Sequence, residues 1–443
     1  MAVTGNTFDD NASVWWAGAG DYAAAPALTK DVDCDVAIIG GGFTGTSTAY
    51  HLARRFPDKR VVLLEARLLA SGASGRNGGL VLNGVNGVKT HDLAVARRVY
   101  DVTRAAIDSL EARIRDESLD VPFRRTGCIE IVTSAAGAEA AARDAEALAG
   151  VGVPVRFVTG AELAALGRFE GAVGATVDPN AGQIDGVRLV RAMRPVLERL
   201  GVHLHEQTPV VGVGEGETIT LTTPSARVKA KAVVLATNAY TPHLGYFRSG
   251  IVPVQSHVLA TEPLTPEARE ALGWGGGLAG FSDDLDRIAY GSMTTRGELV
   301  FGGGSNAAYG YSFGDATAFR GDARPGSDAV EGTLRRYLPN AASVRIAHRW
   351  TGPVALTLSR VCTMGVQGKH RNVYFALGYS GHGITLANLA GEVLTDIYSG
   401  DDARWRDLPF YQQRLLFVPG EPFRWMGYQA YTRLTGRSPR RAL

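Results

Sequence analysis

The chain has 443 residues, which is enough for two domains that each bury a core. Its 46 basic and 44 acidic side chains leave a net charge of +2, too small for a general attraction to nucleic acid or an anionic membrane. Three widely spaced cysteines fit neither a disulfide framework nor a paired-cysteine metal site. Because the sequence also lacks a signal peptide and a membrane-spanning apolar run, we expect a cytoplasmic protein that acts on small molecules.

The first predicted unit is a strand, a glycine-rich loop and a helix. Residues 35–40 (DVAIIG) form an apolar run typical of a buried parallel strand, and residues 46–56 continue with helical periodicity. Between them, Gly40 allows a tight turn, Gly42 lets the backbone approach a pyrophosphate, and Gly45 lets the helix pack closely on the strand. The helix N-terminus is expected to bind phosphates.

The second predicted strand, within residues 60–66 (RVVLLEA), ends in an acidic residue. Glu65 stands at the spacing after the glycines where a carboxylate binds the ribose hydroxyls of an adenosine. A basic residue replaces this acid in NADP-specific sites, so Glu65 argues against NADP. The pattern predicts an adenine-dinucleotide site and leaves NAD and FAD open.

Three later stretches bear on that choice. Residues 68–84 (LLASGASGRNGGLVLNG) are either a loop that wraps the far side of a larger cofactor or an ordinary surface loop. Residues 229–240 form a strand with a small-residue exit, and residues 372–400 repeat the strand, glycine loop and helix. The N-terminus of a second helix stabilises negative charge on a bound cofactor. A reduced flavin gains such a charge and a nicotinamide does not, so the pattern favours FAD.

Together these motifs resemble the D-amino-acid oxidase (DAO) superfamily of FAD-dependent amine oxidoreductases. The resemblance rests on residues 40–53, 63–79, 233–240 and 378–394, and it is nearest to the branch that contains gamma-glutamylputrescine oxidoreductase. It implies an α/β (α+β overall) fold, with a Rossmann-like FAD-binding domain assembled from N- and C-terminal parts. A substrate domain built on a mixed or antiparallel sheet is inserted between them.

The resemblance also implies domain boundaries. They are an N-terminal extension at 1–34, an FAD-binding domain at 35–90, 150–245 and 345–400, a substrate domain at 91–149 and 246–344, and a C-terminal tail or helix at 401–443. Strand-like runs at 251–262, 287–293 and 298–304 suit the substrate sheet, and residues 321–328 (GDARPGSD) predict a loop or turn. Thr159 and Asp185 are predicted helix caps.

The expected cofactor contacts come from the loops, helix starts and strand ends of these motifs. They are Gly40, Gly42, Phe43, Thr44, Gly45, Glu65, Ala66, Ser74, Gly75, Arg76, Asn77, Gly78, Gly79, Val210, Thr237, Asn238, Gly352, Gly378, Tyr379, Ser380, Gly381, His382, Gly383 and Ile384. We expect noncovalent FAD, because the segment around Cys362 (SRVCTMG) does not match the covalent attachment motif of sarcosine-oxidase-like relatives.

Candidates for contact with the substrate lie in segments predicted to face the flavin. They are His257, Tyr290, Met293, Arg349, Trp350 and His382. Four of them have a second interpretation. His382 could be a turn residue bonded to backbone, and Arg349 could form a surface ion pair instead of a carboxylate clamp. Tyr290 and Trp350 could pack in the core instead of forming an aromatic wall. No metal is expected, since His203 and His205 have no evident third ligand.

The resemblance implies removal of a hydride from the carbon next to nitrogen in a small amine, N-alkyl amino acid or amino acid. The imine can hydrolyse, and molecular oxygen as acceptor would give hydrogen peroxide. Some relatives activate oxygen with a lysine, but no lysine lies between Lys231 and Lys369, and Val300 takes that place. A dehydrogenase with a quinone or protein acceptor, and a non-catalytic flavin-binding subunit, therefore stay open.

The C-terminal segment 420–441 is aromatic and basic. This composition fits contact with a membrane or partner, or a terminal helix that packs its aromatic side chains against the body of the protein. We expect the helix.

Overall fold

The computed structural model describes residues 12–88, 92–274, 277–311 and 323–435. Its strands, in chain order, are β1 Val32–Ile39, β2 Val61–Leu64, β3 Leu80–Val81, β4 Phe123–Arg124, β5 Cys128–Val132, β6 Arg156–Val158, β7 Gly174–Asp178, β8 Gly182–Ile184, β9 His203–His205, β10 Gly212–Gly214, β11 Ile219–Thr222, β12 Arg227–Leu235, β13 Val252–Thr261, β14 Gly280–Asp283, β15 Ala289–Met293, β16 Leu299–Gly303, β17 Tyr309–Gly310, β18 Ile346–Leu356, β19 Thr363–Gln367 and β20 Val373–Leu377.

The α-helices connect or cover these strands. They are α1 Val14–Ala17, α2 Phe43–Arg55, α3 Leu93–Asp116, α4 Ala135–Gly150, α5 Gly160–Leu166, α6 Gly186–Arg199, α7 Pro266–Ala271, α8 Arg324–Tyr337, α9 Gly383–Ser399 and α10 Phe423–Thr435. Among the described residues, none of these helices is long and apolar enough to cross a membrane.

The first sheet has a parallel centre. Strand β1 pairs in parallel with β2 and with β12, while β2 pairs with β9 and β12 with β20. Strands β2 and β20 and the last four residues of β1 and of β12 are buried and apolar, as expected for parallel strands covered on both faces. Strands β10, β11 and β19 extend the sheet by antiparallel pairing. The predicted Rossmann-like unit is confirmed.

The carboxyl ends of the parallel strands meet at one edge of this sheet. Gly40 follows β1, Glu65 follows β2, Ala236 follows β12 and Gly378 follows β20. Ligands of open α/β sheets bind outside this edge. The motifs singled out in the sequence are therefore brought together although they lie more than 300 residues apart.

The second sheet is mixed, as predicted. Its order is β17-β13-β16-β15-β14-β5-β7-β6, with β18 on the other side of β13. Only β14 and β5 pair in parallel in the described part of this sheet. One face packs on α8 through an apolar cluster that includes Phe281, Phe301 and Leu334. The other face is turned to the edge of the first sheet.

Two local predictions differ from the structure. Residues 324–328 do not form a loop but the first turns of α8, where Pro325 occupies a position that tolerates a missing N–H; residues 321 and 322 lie outside the described part. Thr159 occupies the N-cap position of α5, but its side chain makes no capping hydrogen bond. Asp185 caps α6 as predicted, because its side chain accepts a hydrogen bond from the Arg188 N–H.

The predicted domain boundaries stay predictions. Strands β6 and β7, which the sequence analysis assigned to the FAD-binding part, pair within the second sheet. Strand β18, assigned likewise, pairs along its length with β13 of that sheet.

Candidate functional site

A cavity of about 2970 Å³ lies between the carboxyl edge of the first sheet and the inner face of the second. Small-molecule pockets usually measure roughly 300–1,000 Å³. This cavity can therefore hold a large cofactor together with a substrate.

The N-terminus of α2 opens into this cavity. Its N-cap, Gly42, has no capping side chain, and Gly42, Phe43 and Thr44 line the cavity. Gly45 does not line it. A Cβ on Gly45 would lie 1.8 Å from the Gly40 carbonyl oxygen, so this glycine permits the close packing of helix on strand. Ser74 Oγ accepts the Phe43 N–H at 3.0 Å, and the other N–H groups of this helix start favour a phosphate.

Glu65 lies at the base of the cavity. One carboxylate oxygen accepts the Gly41 N–H at 2.7 Å and the other accepts the Arg67 N–H at 2.9 Å. Burial raises the pKa of Glu65, an effect that these two hydrogen bonds oppose. Each oxygen keeps acceptor capacity for a further donor, such as a ribose hydroxyl.

The loop at 71–79 is held by donors from distant parts of the chain. Four consecutive carbonyls of residues 75–78 each receive a side-chain hydrogen bond. The donors are Ser13 Oγ to Gly75 O at 2.6 Å, Trp350 Nε1 to Arg76 O at 2.9 Å, Trp15 Nε1 to Asn77 O at 2.7 Å and Ser292 Oγ to Gly78 O at 2.6 Å. The backbone of this loop is thereby fixed in one conformation.

The same loop leaves donors at the cavity. Asn77 and Gly78 line it, and within the described residues their backbone N–H groups donate to no protein acceptor. Buried backbone donors are nearly always satisfied in folded proteins. A bound group with acceptor atoms is the natural partner here.

Helix α9 provides a second N-terminus at the cavity. Its N-cap, His382, makes no side-chain capping bond, and its ring Nε2 donates to the Asn83 carbonyl at 2.9 Å. Tyr379, just before the helix, is linked through its hydroxyl to Thr44 Oγ1 at 2.7 Å. The two helix starts are therefore joined directly.

Residues 35–397 match the FAD-dependent oxidoreductase (DAO) family. This match covers well over half of the chain. The protein belongs to the DAO family of FAD-dependent oxidoreductases.

Curated relatives match over most of their length. Gamma-glutamylputrescine oxidoreductase of Escherichia coli is 29% identical over 423 residues, which cover 91% of this chain and 93% of the relative. The probable oxidoreductase OrdL of Haemophilus influenzae is 28% identical over 394 residues, 86% of either chain. The crystal structure of glycine oxidase from Geobacillus kaustophilus superposes with a TM-score of 0.73 at 23% identity, covering 87% of this chain and 100% of that one, and so shares its fold.

The geometry fits FAD. Two helix starts whose N-cap residues make no side-chain capping bond, an acidic strand end and the N–H groups of residues 77 and 78 all face one cavity. Most of the residues expected to contact the cofactor line it. They are Gly40, Gly42, Phe43, Thr44, Glu65, Ala66, Ser74, Arg76, Asn77, Gly78, Val210, Thr237, Asn238, Gly352, Tyr379, Ser380, Gly381, His382, Gly383 and Ile384.

Three further predicted contacts, besides Gly45, lie behind the cavity wall. Gly75 packs against the Ala70 carbonyl and Trp16, Gly79 against Trp15, and Gly378 against Thr357. These glycines shape the loops that carry the lining residues.

Tyr290 on β15 lines the cavity from the second sheet. Its ring lies against Gly78 and Gly302, where an added Cβ would come within 2.6 Å and 2.3 Å of the ring. Its hydroxyl is 3.4 Å from Ser256 Oγ, and burial raises its pKa. Trp350 shares this face of the sheet but does not line the cavity, because its ring is buried behind the loop and its N–H is bound to Arg76 O.

His257, Arg349 and Met293 are not brought to the FAD cavity. Side chains alternate between the faces of a strand, and these three point to the α8 face. His257 packs against Gly326 of α8, and burial lowers its pKa to about 4. Arg349 pairs with Glu331 of α8, while Met293 lies in the apolar cluster beneath that helix.

The sequence analysis gave the N-terminal segment no part in the site. Trp15 and Ser13 nevertheless hold the loop, and Glu206 anchors the segment by accepting the N–H groups of Ala25 and Leu69. The tryptophan pair at 15 and 16, in an otherwise polar stretch, was the available signal. Within the described residues, no group of three or more His, Cys, Asp or Glu side chains is placed to hold a metal ion.

Proposed function

We propose that the protein oxidises a carbon–nitrogen bond of a small amine, N-alkyl amino acid or amino acid with noncovalently bound FAD. The observation that carries the proposal is the position of Tyr290, which lines the cavity beside Gly78 of the loop at 71–79. Relatives named gamma-glutamylputrescine oxidoreductase and glycine oxidase support an amine substrate.

When bound, FAD supplies a hydride acceptor for the carbon next to nitrogen. The start of α9 faces the cavity with the positive end of its dipole and would stabilise negative charge on a flavin bound there. Tyr290 and Ser256 place two hydroxyls where they can bind and orient the amine. The resulting imine then hydrolyses in water.

The substrate reacts as the neutral amine, and neither His257 nor His382 is placed as its base. His257 lies on the far face of its sheet, and the His382 ring donates to a backbone carbonyl. The proposal assigns the deprotonation to solvent. We expect the rate of flavin reduction to rise with pH until the amine of the bound substrate is neutral.

Molecular oxygen is the proposed acceptor, with hydrogen peroxide as product. A dehydrogenase that uses a quinone or protein acceptor is the second candidate. It is favoured by the lining of the cavity, where no lysine occurs among the described residues, and by Val300, which is fully buried in apolar surroundings.

Noncovalent attachment is supported by the position of Cys362. This thiol is buried outside the cavity lining, and burial raises its pKa to about 12, so it is neither placed nor ionised for bonding to a flavin.

The first experiment is a visible spectrum of the purified protein, followed by acid precipitation. Flavin bands that move into the supernatant are expected, whereas colour retained in the pellet would contradict noncovalent binding. An anaerobic screen of amines should then bleach the flavin. Tyr290→Phe, which keeps the ring, should slow bleaching by about tenfold, as expected for one lost hydrogen bond. If no amine bleaches a flavin that dithionite reduces, the proposed function is wrong, and a non-catalytic subunit is favoured.

A further inference from the structure

Helix α10 presents its apolar side chains to solvent. The helix lies beyond the family match, which ends at residue 397. Phe423, Met426 and Leu434 recur at helical spacing on one face and are 67%, 55% and 85% exposed. A helix on a protein surface normally buries its apolar stripe. The predicted terminal helix is therefore present, but these apolar side chains do not pack against the body of the protein.

The opposite, more polar face of α10 contacts the protein. The Tyr428 hydroxyl donates to the Tyr309 carbonyl at 2.9 Å, and Asn306 Nδ2 donates to the Thr432 carbonyl at 2.7 Å. Near the start of the helix, Arg424 Nη1 donates to two backbone carbonyls. Because these bonds hold the polar face inward, the helix cannot turn its apolar face to the body without losing them.

The exposed apolar face continues on the segment just before α10. The Val418 N–H donates to the Ser249 carbonyl at 2.7 Å, and Arg424 donates to the neighbouring Arg248 carbonyl at 3.2 Å, so both segments lie on the same part of the protein. Of the ten large apolar side chains that are exposed in the described residues, seven lie within residues 416–434. Such a concentration marks an interaction site. We define the C-terminal surface by six of them: Leu416, Phe417, Phe423, Trp425, Met426 and Leu434.

The same end of the chain is strongly basic. Residues 411–443 contain six arginines and one acidic residue, Glu421, although the whole chain has a net charge of only +2. Glu421 is directed to the protein, because it accepts the hydroxyl of Tyr311. Arg414 and Arg433 are exposed and form no ion pair within the described residues. The C-terminal surface is therefore apolar and bordered by uncompensated positive charge.

This combination argues against two of the possible occupants. A second copy of the chain would bring the two sets of arginines together, because a twofold interface joins identical surfaces and like charges repel. An acidic protein partner would compensate the charge, but protein interfaces carry about one hydrogen bond per 100–200 Å². The exposed face of α10 offers few side chains for such bonds, since its polar groups are turned inward.

A lipid bilayer with anionic headgroups suits both features. The apolar side chains of an interfacial helix enter the boundary between headgroups and acyl chains, where they need no hydrogen-bonding partner. Each arginine near an anionic membrane surface adds electrostatic attraction. Tryptophan is also enriched at this boundary, which fits the exposed position of Trp425.

We infer that the C-terminal surface docks on an anionic lipid bilayer. Helix α10 lies in the plane of the membrane with its apolar face toward the acyl chains, and the exposed arginines bind the anionic headgroups. Leu434 belongs to this surface and also lines the cavity, so docking brings the mouth of the cavity against the bilayer. The inference does not depend on the reaction that the protein catalyses.

The test measures sedimentation of the purified protein with lipid vesicles. Vesicles of phosphatidylcholine that contain about one-third phosphatidylglycerol should bind the protein. Vesicles of phosphatidylcholine alone should bind it at least about tenfold more weakly, because the attraction of several arginines is lost. Raising the salt concentration should weaken binding to the anionic vesicles. A shift of tryptophan fluorescence to shorter wavelength should accompany binding and should be smaller in Trp425→Phe.

Substitutions on the surface should weaken binding without unfolding the protein. Phe417→Gln and Phe423→Gln, both outside the cavity lining, should each weaken vesicle binding by about tenfold, as expected when one apolar side chain no longer enters the bilayer. Arg433→Gln should weaken it by about fivefold. Val173→Gln, at an exposed apolar position far along the chain from α10, is the matched control and should bind as the wild type does. Equal thermal unfolding temperatures verify that the variants fold.

Four outcomes would contradict membrane docking. Absence of sedimentation with anionic vesicles at low salt would overturn the inference, as would equal binding to both kinds of vesicle. Binding that is unchanged in both phenylalanine variants would place the contact elsewhere and refute it too. Dimers that dissociate in Phe423→Gln, detected by analytical ultracentrifugation without any vesicle binding, would assign the surface to a second copy of the chain. The amine screen uses no vesicles, so failure of the proposed function is distinguishable from failure of this inference.

Discussion

Replacing Trp15 with phenylalanine tests whether the N-terminal segment holds the loop at 71–79 ready for FAD. Trp15 is 1% exposed, and its indole N–H donates to Asn77 O at 2.7 Å. Its ring lies against Gly79, where an added Cβ would approach within 2.9 Å. Phenylalanine keeps most of this packing and removes the donor.

The expected cost follows from the buried carbonyl that is left without its donor. Such a loss costs about 1–3 kcal/mol. If the loop becomes ordered only when FAD binds, this loss reduces the free energy of FAD binding. Because about 1.4 kcal/mol corresponds to a tenfold change in affinity, the affinity for FAD should decrease roughly 5-fold to 150-fold. If the loop is equally ordered without FAD, the cost falls on the free energy of unfolding instead.

Two measurements separate these cases. Apoprotein is titrated with FAD by following flavin fluorescence, and thermal unfolding is recorded with and without FAD. Trp425→Phe, at a tryptophan that is 37% exposed and outside the cavity lining, is the matched control. Unchanged affinity together with an equal loss of stability in both forms would refute a role for Trp15 in preparing the loop for FAD.

Three other predictions follow from the same contacts. Gly45→Ala should abolish folding or FAD binding, because the added Cβ would lie 1.8 Å from Gly40 O. Gly150→Ala is the control and should be tolerated, because no atom lies within 4 Å of the added Cβ. Comparable soluble yields and FAD content for the two variants would contradict the prediction. Arg349→Ala should lower the free energy of unfolding by less than about 1 kcal/mol and leave KM unchanged, because its ion pair with Glu331 is partly exposed and remote from the cavity; a tenfold rise in KM would restore its role as a clamp. Burial lowers the pKa of His257 from 6.5 to about 4, so between these pH values the unfolded chain binds more protons than the folded protein, and the free energy of unfolding falls as the pH is lowered. His257→Gln should reduce this dependence of the free energy of unfolding on pH, as measured by denaturant unfolding. An equal dependence in the variant and the wild type would contradict the prediction.

The parts of the site that were predictable depend on local backbone chemistry. Gly42 could be predicted at the cavity because a phosphate-binding helix start needs a residue without a side chain. Glu65 could be predicted there because the end of the second strand determines the position of its carboxylate. The parallel strands were recognisable from their continuous apolar runs. These features need no knowledge of contacts between distant segments.

The expectations that differ from the structure concern residues whose position depends on tertiary contacts. Strand runs 251–262 and 287–293 were recognised, but only the pairing register shows which face of each strand meets the cofactor. Tyr290 pairs with Gly302 and shares the inner face, while Arg349 pairs with Leu259 and points to α8. The loop prediction was wrong for residues 324–328, because Pro325 can lie in the first turn of a helix as well as end one.

The second glycine-rich loop shows how these two kinds of information combine. Its small residues let it pass between the sheets, which is a local property. Its conformation, however, depends on four side chains, Ser13, Trp15, Ser292 and Trp350, that come from three distant segments. In the described part of the chain, the N–H groups of Asn77 and Gly78 donate to no protein acceptor, and we propose that they bind FAD. The conformation of the loop at 71–79 is therefore fixed by the N-terminal segment and by the second sheet. Under the proposed function, a change in either should be detected first in the flavin spectrum.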